Sequence, residues 1–178
     1  MSYKIPRYGW LPDLPDHRDY LFAAPAEVSG ALPAKVDLRA QCPPVYDQGQ
    51  LGSCTANAIA GAIQFDQIKQ KLGQIFTPAR LFIYYNERVI EHTVASDSGE
   101  QIRDGIKSVG KQGDCPETEW PYVIAKFKTK PPVKCYSDAL KMGYERLFHL
   151  ALPVFNFYKS RQRLLDNSCR CVIILGQP

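Results

Sequence analysis

Apolar residues in this chain are grouped, and the groups differ in period. From Cys54 to Leu72, Ala56, Ile59, Ala60 and Ile63, then Ile68 and Leu72, recur at helical spacing before Gly73, which predicts a helix with a glycine stop. Its first half is crowded with Ala56, Ala58, Ala60, Gly61 and Ala62, a composition suited to a helix buried in mid-domain with neighbours close on several sides. Thr77 as N-cap and Pro78 at the first helical position predict a second helix running to about His92. A third fits Ser98 to Val109, with Gly110 and Gly113 past its end. After Gly113 the pattern changes to prolines, turns and short apolar runs. Tyr158 to Asp166 reads as a further helix and Cys171 to Leu175 as a buried strand. The expectation is an α+β fold in which a helical half precedes a strand-bearing half.

Residues 1–35 follow neither pattern. Pro6, Pro12, Pro15, Pro25 and Pro33 stop any helix or interior strand, yet Tyr3, Tyr8, Trp10, Leu11, Leu14, Tyr20, Leu21 and Phe22 are too many apolar side chains for a solvated tail. This arm is expected to lie against a folded body, either patching the core or, in the manner of a pro-segment, covering a cleft. The organisation read from the sequence is therefore an arm over 1–35, a helical half over 36–125 and a partial strand-rich half over 126–178.

Composition narrows the class. The 178 residues carry 22 basic and 18 acidic side chains, a formal charge of +4, with the acidic residues interspersed. That leaves no concentrated electrostatic footprint, so nucleic acid is not an expected partner. No stretch approaches the roughly 18 consecutive apolar residues of a membrane span. The start lacks an apolar h-region, and a cytoplasmic location is the expectation. Six cysteines stand at 42, 54, 115, 135, 169 and 171; a chain of this size does not need staples, and most are read as thiols. The pair Cys169 and Cys171 with Cys135 lacks the spacing and the fourth ligand of a zinc site, so no metal and no cofactor are expected.

Chemistry concentrates between residues 36 and 57. Cys54 falls at the start of the predicted buried helix, where backbone N–H groups without helical partners and the macrodipole favour an anion. Such a position lowers a thiol's pKa, and the thiolate is the nucleophile. Gln48 lies six residues earlier, close enough for its amide to turn back beside the sulfur; with the backbone N–H of Cys54 it would give two donors for a developing oxyanion. The bland alternatives are a buried helix-start cysteine acting as a small hydrophobe and a turn glutamine facing solvent. Asp97 and Glu100 make no carboxylate pair at a readable spacing.

The segment KVDLRAQCPPVYDQGQLGSCTANAIAGA resembles the active-site segment of papain-like (C1) cysteine peptidases, with their Val-Asp-Trp-Arg opening, a Gln-Gly, and Cys-Gly-Ser-Cys-Trp at the head of a long central helix. Gly52, Ser53 and Cys54 match that motif; Leu51 and Thr55 depart from it. Asp97-Ser98-Gly99 resembles the family's loop that holds substrate backbone, and Gln112-Gly113 leading to Trp120-Pro121-Tyr122 resembles its Gly to Tyr-Pro-Tyr stretch. The resemblance implies a papain-like architecture, with a helical half around the central helix and an incomplete antiparallel β half. It also implies a cysteine-type endopeptidase acting on peptide or protein substrates, with Cys54 as nucleophile, Gln48 in the oxyanion hole, and Gly52, Ser53, Ser98 and Gly99 binding substrate.

One departure bears on turnover. The family's histidine and asparagine lie roughly 130 to 150 residues after the nucleophile, whereas 124 residues follow Cys54 here. His149, 95 residues on, reads as a half-buried polar residue, and His17 and His92 have no family counterpart. An impaired enzyme, a silent peptide-binding module and an acyl-transfer enzyme using the same thiol are the readings that follow. Val172 to Leu175, left as an uncovered edge, would invite pairing with a second copy.

Overall fold

The computed structural model describes residues 9–16 and 35–141. Among them, four α-helices are joined by loops and two very short strands. Helix α1 (Cys54–Lys69) opens at Cys54, as the apolar spacing predicts, but stops three residues short of Leu72. Lys71 takes the left-handed region, and Leu72 N–H closes on the Gln67 carbonyl at 3.1 Å. Leu72 is exposed while Phe65 and Gln67 are buried. The side-chain oxygen of Gln67 accepts the Phe76 N–H at 3.0 Å, so a buried amide here takes the place of the expected apolar contact. The first half of α1 is buried on several sides, including Ala56, Ile59, Ala60 and Gly61, in line with its small residues.

Helix α2 (Arg80–Glu91) starts later than Thr77-Pro78 suggests. Pro78 makes an antiparallel bridge to Pro116, the Thr77 carbonyl accepts Glu117 N–H at 2.8 Å, and Ala79 N–H goes to the Cys115 carbonyl at 2.8 Å. Long-range pairing has claimed the residues that capping rules assign to the helix. At the other end His92 caps α2 in the left-handed region, φ 59°. Leu81, Phe82, Ile83 and Tyr84 are buried and form the core with Ile59, Ile63, Val109 and Trp120.

The third predicted helix also begins late. Strands β1 (Trp10–Leu11) and β2 (Glu100–Gln101) pair in parallel, Trp10 opposite Glu100 and Leu11 opposite Gln101, and helix α3 (Ile102–Gln112) follows. The strand forms because Gly99, at φ +76°, turns the chain so that the Glu100 N–H meets the Gly9 carbonyl at 2.6 Å. Asp13 of the arm then accepts Arg103 N–H at 3.0 Å, supplying from elsewhere in the chain a cap for the first turn of α3.

Beyond Gly113 the expectation of turns and strands is corrected over the described stretch: a short 3-10 turn (Ile124–Lys126) leads to helix α4 (Val133–Lys141). Pro131 and Pro132 precede it, and Cys135 and Ala139, four apart, bury its one inward face. The helix expected over Tyr158 to Asp166, the strand over Cys171 to Leu175, the proposed edge for dimerisation and the antiparallel half lie outside the described residues.

Candidate active site

Three loops converge at the head of α1. The turn from Gln48 to Ser53 leads into Cys54, the segment 97–101 comes up beside it, and residues 116–127 lie behind. Cys54 is 7% exposed and opens the helix, with no acidic residue in the first turn. Cys42, Cys54, Cys115 and Cys135 are in no disulfide. A buried carboxyl on this side belongs to Glu87, which accepts from Thr55 Oγ1 at 2.8 Å. Burial pushes Glu87 up to about 8, so at neutral pH it is uncharged and does not oppose an anion at the helix start.

Gln48 is buried, 8% exposed. Its Nε2 donates to the Leu51 carbonyl at 3.0 Å, while its backbone carbonyl accepts from Tyr122 Oη at 3.0 Å. The amide is thus locked inside the turn rather than facing solvent, with one N–H committed to Leu51. A primary amide has a second. Leu51, where the family carries a cysteine, is part of the core.

Ser53 has its side chain turned into the protein. It is fully buried, its Oγ lies 2.6 Å from Tyr122 Oη, and Asn57 Nδ2 donates to both its carbonyl (2.8 Å) and its Oγ (3.1 Å). Only its backbone can face a cleft. Gly52 donates its N–H to both Asp97 carboxylate oxygens, at 3.0 and 3.1 Å, and Tyr84 Oη donates to the same carboxylate. Asp97 therefore ties the nucleophile turn to the loop that carries Ser98 and Gly99. Ser98 Oγ donates to the Gly99 carbonyl at 3.2 Å.

Gly9 of the arm sits between these two loops. A methyl group on Gly9 would overlap the Gly52 carbonyl oxygen at 1.6 Å, and one on Gly99 would overlap the Gly9 carbonyl oxygen at 2.1 Å. Only bare backbone fits at this depth. At Gly9 the arm takes the Glu100 N–H beside the turn that bears Cys54.

Support from behind comes from a group that pattern reading passed over. Arg80 Nε and Nη2 each reach a Glu117 oxygen at 2.8 Å, Nη1 donates to the Asp47 carbonyl and Asn57 Oδ1 at 3.0 Å, and the guanidinium lies over the Tyr46 and Tyr122 rings at 4.8 and 4.0 Å. One side chain joins α1, α2, the nucleophile turn and residues 116–127. Nothing in the local pattern marks it, because its partners stand 23 to 37 residues away. Glu100 is the other surprise: it shares a hydrogen bond with Glu91, and burial with those neighbouring carboxyls pushes it up to about 9. The pair is nine residues apart across a turn, a spacing with no helical or strand rule. His92, the one histidine among the described residues, is exposed at the C-cap of α2.

No protein-family model matches the chain. The structure resembles that of xylellain, a cysteine protease from Xylella fastidiosa, with 50% sequence identity and a TM-score of 0.69 over 75% of this chain and 55% of that one. By fold and by sequence, the chain is papain-like. It is also 42% identical over 148 residues to an uncharacterized peptidase C1-like protein of Acanthamoeba polyphaga mimivirus, which covers 74% of this chain and 48% of that one. The chain spans about half the length of these papain-like relatives. Among the described residues no helix is long and apolar enough to cross a membrane.

Proposed function

We propose that this papain-like chain carries the nucleophile half of a cysteine-type endopeptidase, with its cleft filled by its own arm. Cys54 attacks the peptide carbonyl, and the second N–H of the Gln48 amide together with the Cys54 backbone N–H receives the oxyanion. Gly52, Gly99 and the backbone around Ser98 hold the substrate's main chain. The observation that carries the reading is the fit of Gly9 between Gly52 and Gly99: its carbonyl takes the Glu100 N–H that an extended peptide in the same groove would need.

The described residues bring no imidazole to the thiol, since His92 is exposed at the C-cap of α2. An ordinary thiol near pKa 8.5 is a few per cent ionised at pH 7, and we infer that turnover by the described residues alone is impaired.

Iodoacetamide labelling of Cys54, read by peptide mapping across pH 5 to 9, tests both statements. We expect labelling that rises towards pH 9 and becomes several-fold faster when residues 1–30 are deleted. An unchanged rate after deletion disposes of the inhibitory arm. Fast labelling at pH 5 means a histidine does ionise the thiol and the impairment is wrong. A thiol inert at every pH in both forms leaves a silent peptide-binding module instead.

A further inference from the structure

We propose that Cys115 and Cys135 are a disulfide-forming pair, closed by a small disulfide such as oxidised glutathione, and that closure fixes the segment supporting the nucleophile turn. The two Sγ atoms and a Glu119 carboxylate oxygen all lie within 4.8 Å of one another, and the thiols are hydrogen-bonded to each other. A disulfide needs about 2.05 Å between the sulfurs, so closure is a movement of under about 3 Å, of the size that rotation of the two thiols about χ1 supplies. Both backbones are anchored: the Cys115 carbonyl accepts Ala79 N–H at 2.8 Å, and Cys135 N–H goes to the Pro132 carbonyl at 3.0 Å in the first turn of α4.

A metal is the rival occupant of these atoms. Three donors are one short of a closed tetrahedral site. The Lys134 ammonium already sits on Glu119 at 3.0 Å, where its charge opposes a dication. Two thiols in contact favour a covalent bond over an ion.

The exchange balances without any further reagent. Cys135 loses its proton and attacks one sulfur of oxidised glutathione; that S–S bond breaks, and one glutathione leaves as thiolate and takes up a proton. Cys115 then loses its proton and attacks Cys135 Sγ, expelling the second glutathione, which is protonated in turn. Two protein thiols are oxidised, and one glutathione disulfide is reduced to two thiols. Burial pushes both cysteines up, and Glu119 and Asp138 also oppose a Cys135 thiolate, but the hydrogen bond between the two thiols favours the anion on Cys135 and disfavours it on Cys115, so Cys135 attacks first. Both cysteines are buried, and α4 buries only Cys135 and Ala139 of its own residues. Local lifting of this short helix is the step that admits the reagent.

The closed loop, residues 115–135, contains Tyr122, whose hydroxyl donates to the Gln48 carbonyl at 3.0 Å and lies 2.6 Å from Ser53 Oγ. It also contains Phe127, whose carbonyl accepts from Arg88. Restricting this loop shortens the excursions open to the groups behind Gln48 and Cys54.

The reduced full-length chain is exposed to oxidised glutathione at pH 8, denatured, alkylated with N-ethylmaleimide and digested. We expect a Cys115–Cys135 cross-linked peptide, two hydrogens lighter than its reduced parts and reversed by dithiothreitol, with a rise of several degrees in the thermal midpoint. Cys135→Ala and Cys115→Ala should show neither, and the wild-type peptide map stands alone if both variants fail to fold. The proposal is overturned if both cysteines remain alkylated, if the reaction stops at a glutathione adduct, or if either pairs with Cys42, Cys169 or Cys171. Zinc retained one per chain and lost in Cys135→Ala would overturn it in favour of a metal site.

Discussion

Helix α2 is pinned at each end by a buried arginine, and the two are satisfied in different ways. Arg80, beneath the nucleophile turn, is 10% exposed and meets both oxygens of Glu117 at 2.8 Å. Arg88, beneath residues 94–100, is fully buried, and the carboxylate nearest to it, Glu100, stands at 3.9 Å. Its donors go to backbone carbonyls instead: Tyr84 at 3.1 Å, Val94 at 3.0 Å, Ser96 at 3.2 Å, and Phe127. The Tyr84 and Phe127 rings flank its guanidinium at 4.1 and 5.1 Å. One end of the helix is therefore held by a charge pair at the edge of solvent, and the other by a cation that gathers carbonyl dipoles in the interior. A buried charge is tolerated where its hydrogen bonds are complete, with or without a counter-charge in contact.

The sharpest way to break this comparison is to replace each arginine by methionine. Arg88→Met strands three loop carbonyls and is expected to cost about 4 kcal/mol, in the range for breaking a buried charged network. Arg80→Met should cost clearly less, because Glu117 is 20% exposed and can rehydrate. Urea unfolding of both variants checks the order; an equal or larger loss for Arg80→Met would mean that the charge pair, not the carbonyl clamp, is the stronger fixture.

The two ends also differed in how far the sequence disclosed them. The run from Gln48 to Cys54 and the small residues of α1 were legible, because motif spacing and helical period are local properties. The late starts of α2 and α3 were not, since Pro78 pairs with Pro116 and Glu100 with the Gly9 strand, partners 38 and 91 residues distant. The helix over Val133–Lys141 was hidden for another reason. Nine residues carry too few turns for a period to stand out beside Pro131 and Pro132. The motif that carries Ser53 does not say where its hydroxyl points, and only the packing of Tyr122 and Asn57 shows it turned inward. Arg80 and Arg88 look like any helical arginine until the loops that close on them are known.

Acidity provides the next test, and at the Arg88 end it works through two buried carboxyls. Glu87 is raised from 4.5 to about 8 and Glu100 to about 9, first by burial and then by neighbouring carboxyls; Glu91 faces both, and Asp104 adds to Glu87. Below about pH 4.5 the Glu87 carboxyl is protonated in both folded and unfolded chains. Between 4.5 and 8 the unfolded chain releases a proton that the folded chain keeps, so stability falls as pH rises. Ionisation of Glu100 extends the fall to about pH 9. From pH 5 to 8 the Glu87 share is on the order of 3 kcal/mol, at 1.36 kcal/mol per pKa unit and allowing for relaxation. Glu87→Gln should remove that share and leave the Glu100 part. Parallel stability-against-pH curves for wild type and Glu87→Gln would show that this carboxyl ionises as it does in water.

The smallest effect belongs to the Arg80 end and asks whether hydroxyl contacts there add to the guanidinium's hold. Tyr122→Phe keeps the ring under Arg80 at 4.0 Å and deletes only the hydroxyl shared by the Gln48 carbonyl and Ser53 Oγ. Two buried polar groups then lose one partner, but Ser53 Oγ still receives Asn57 Nδ2, so the cost should be about 1 kcal/mol. The local consequence is more informative than the global one. The Gln48 carbonyl, no longer drawn back, lets the turn from Gln48 to Ser53 move, and its amides should exchange with solvent faster while those of residues 94–100 keep their wild-type rates. Faster exchange in both segments would mean that the two ends of α2 are one mechanical unit, and that Arg80 and Arg88 hold a single structure rather than two.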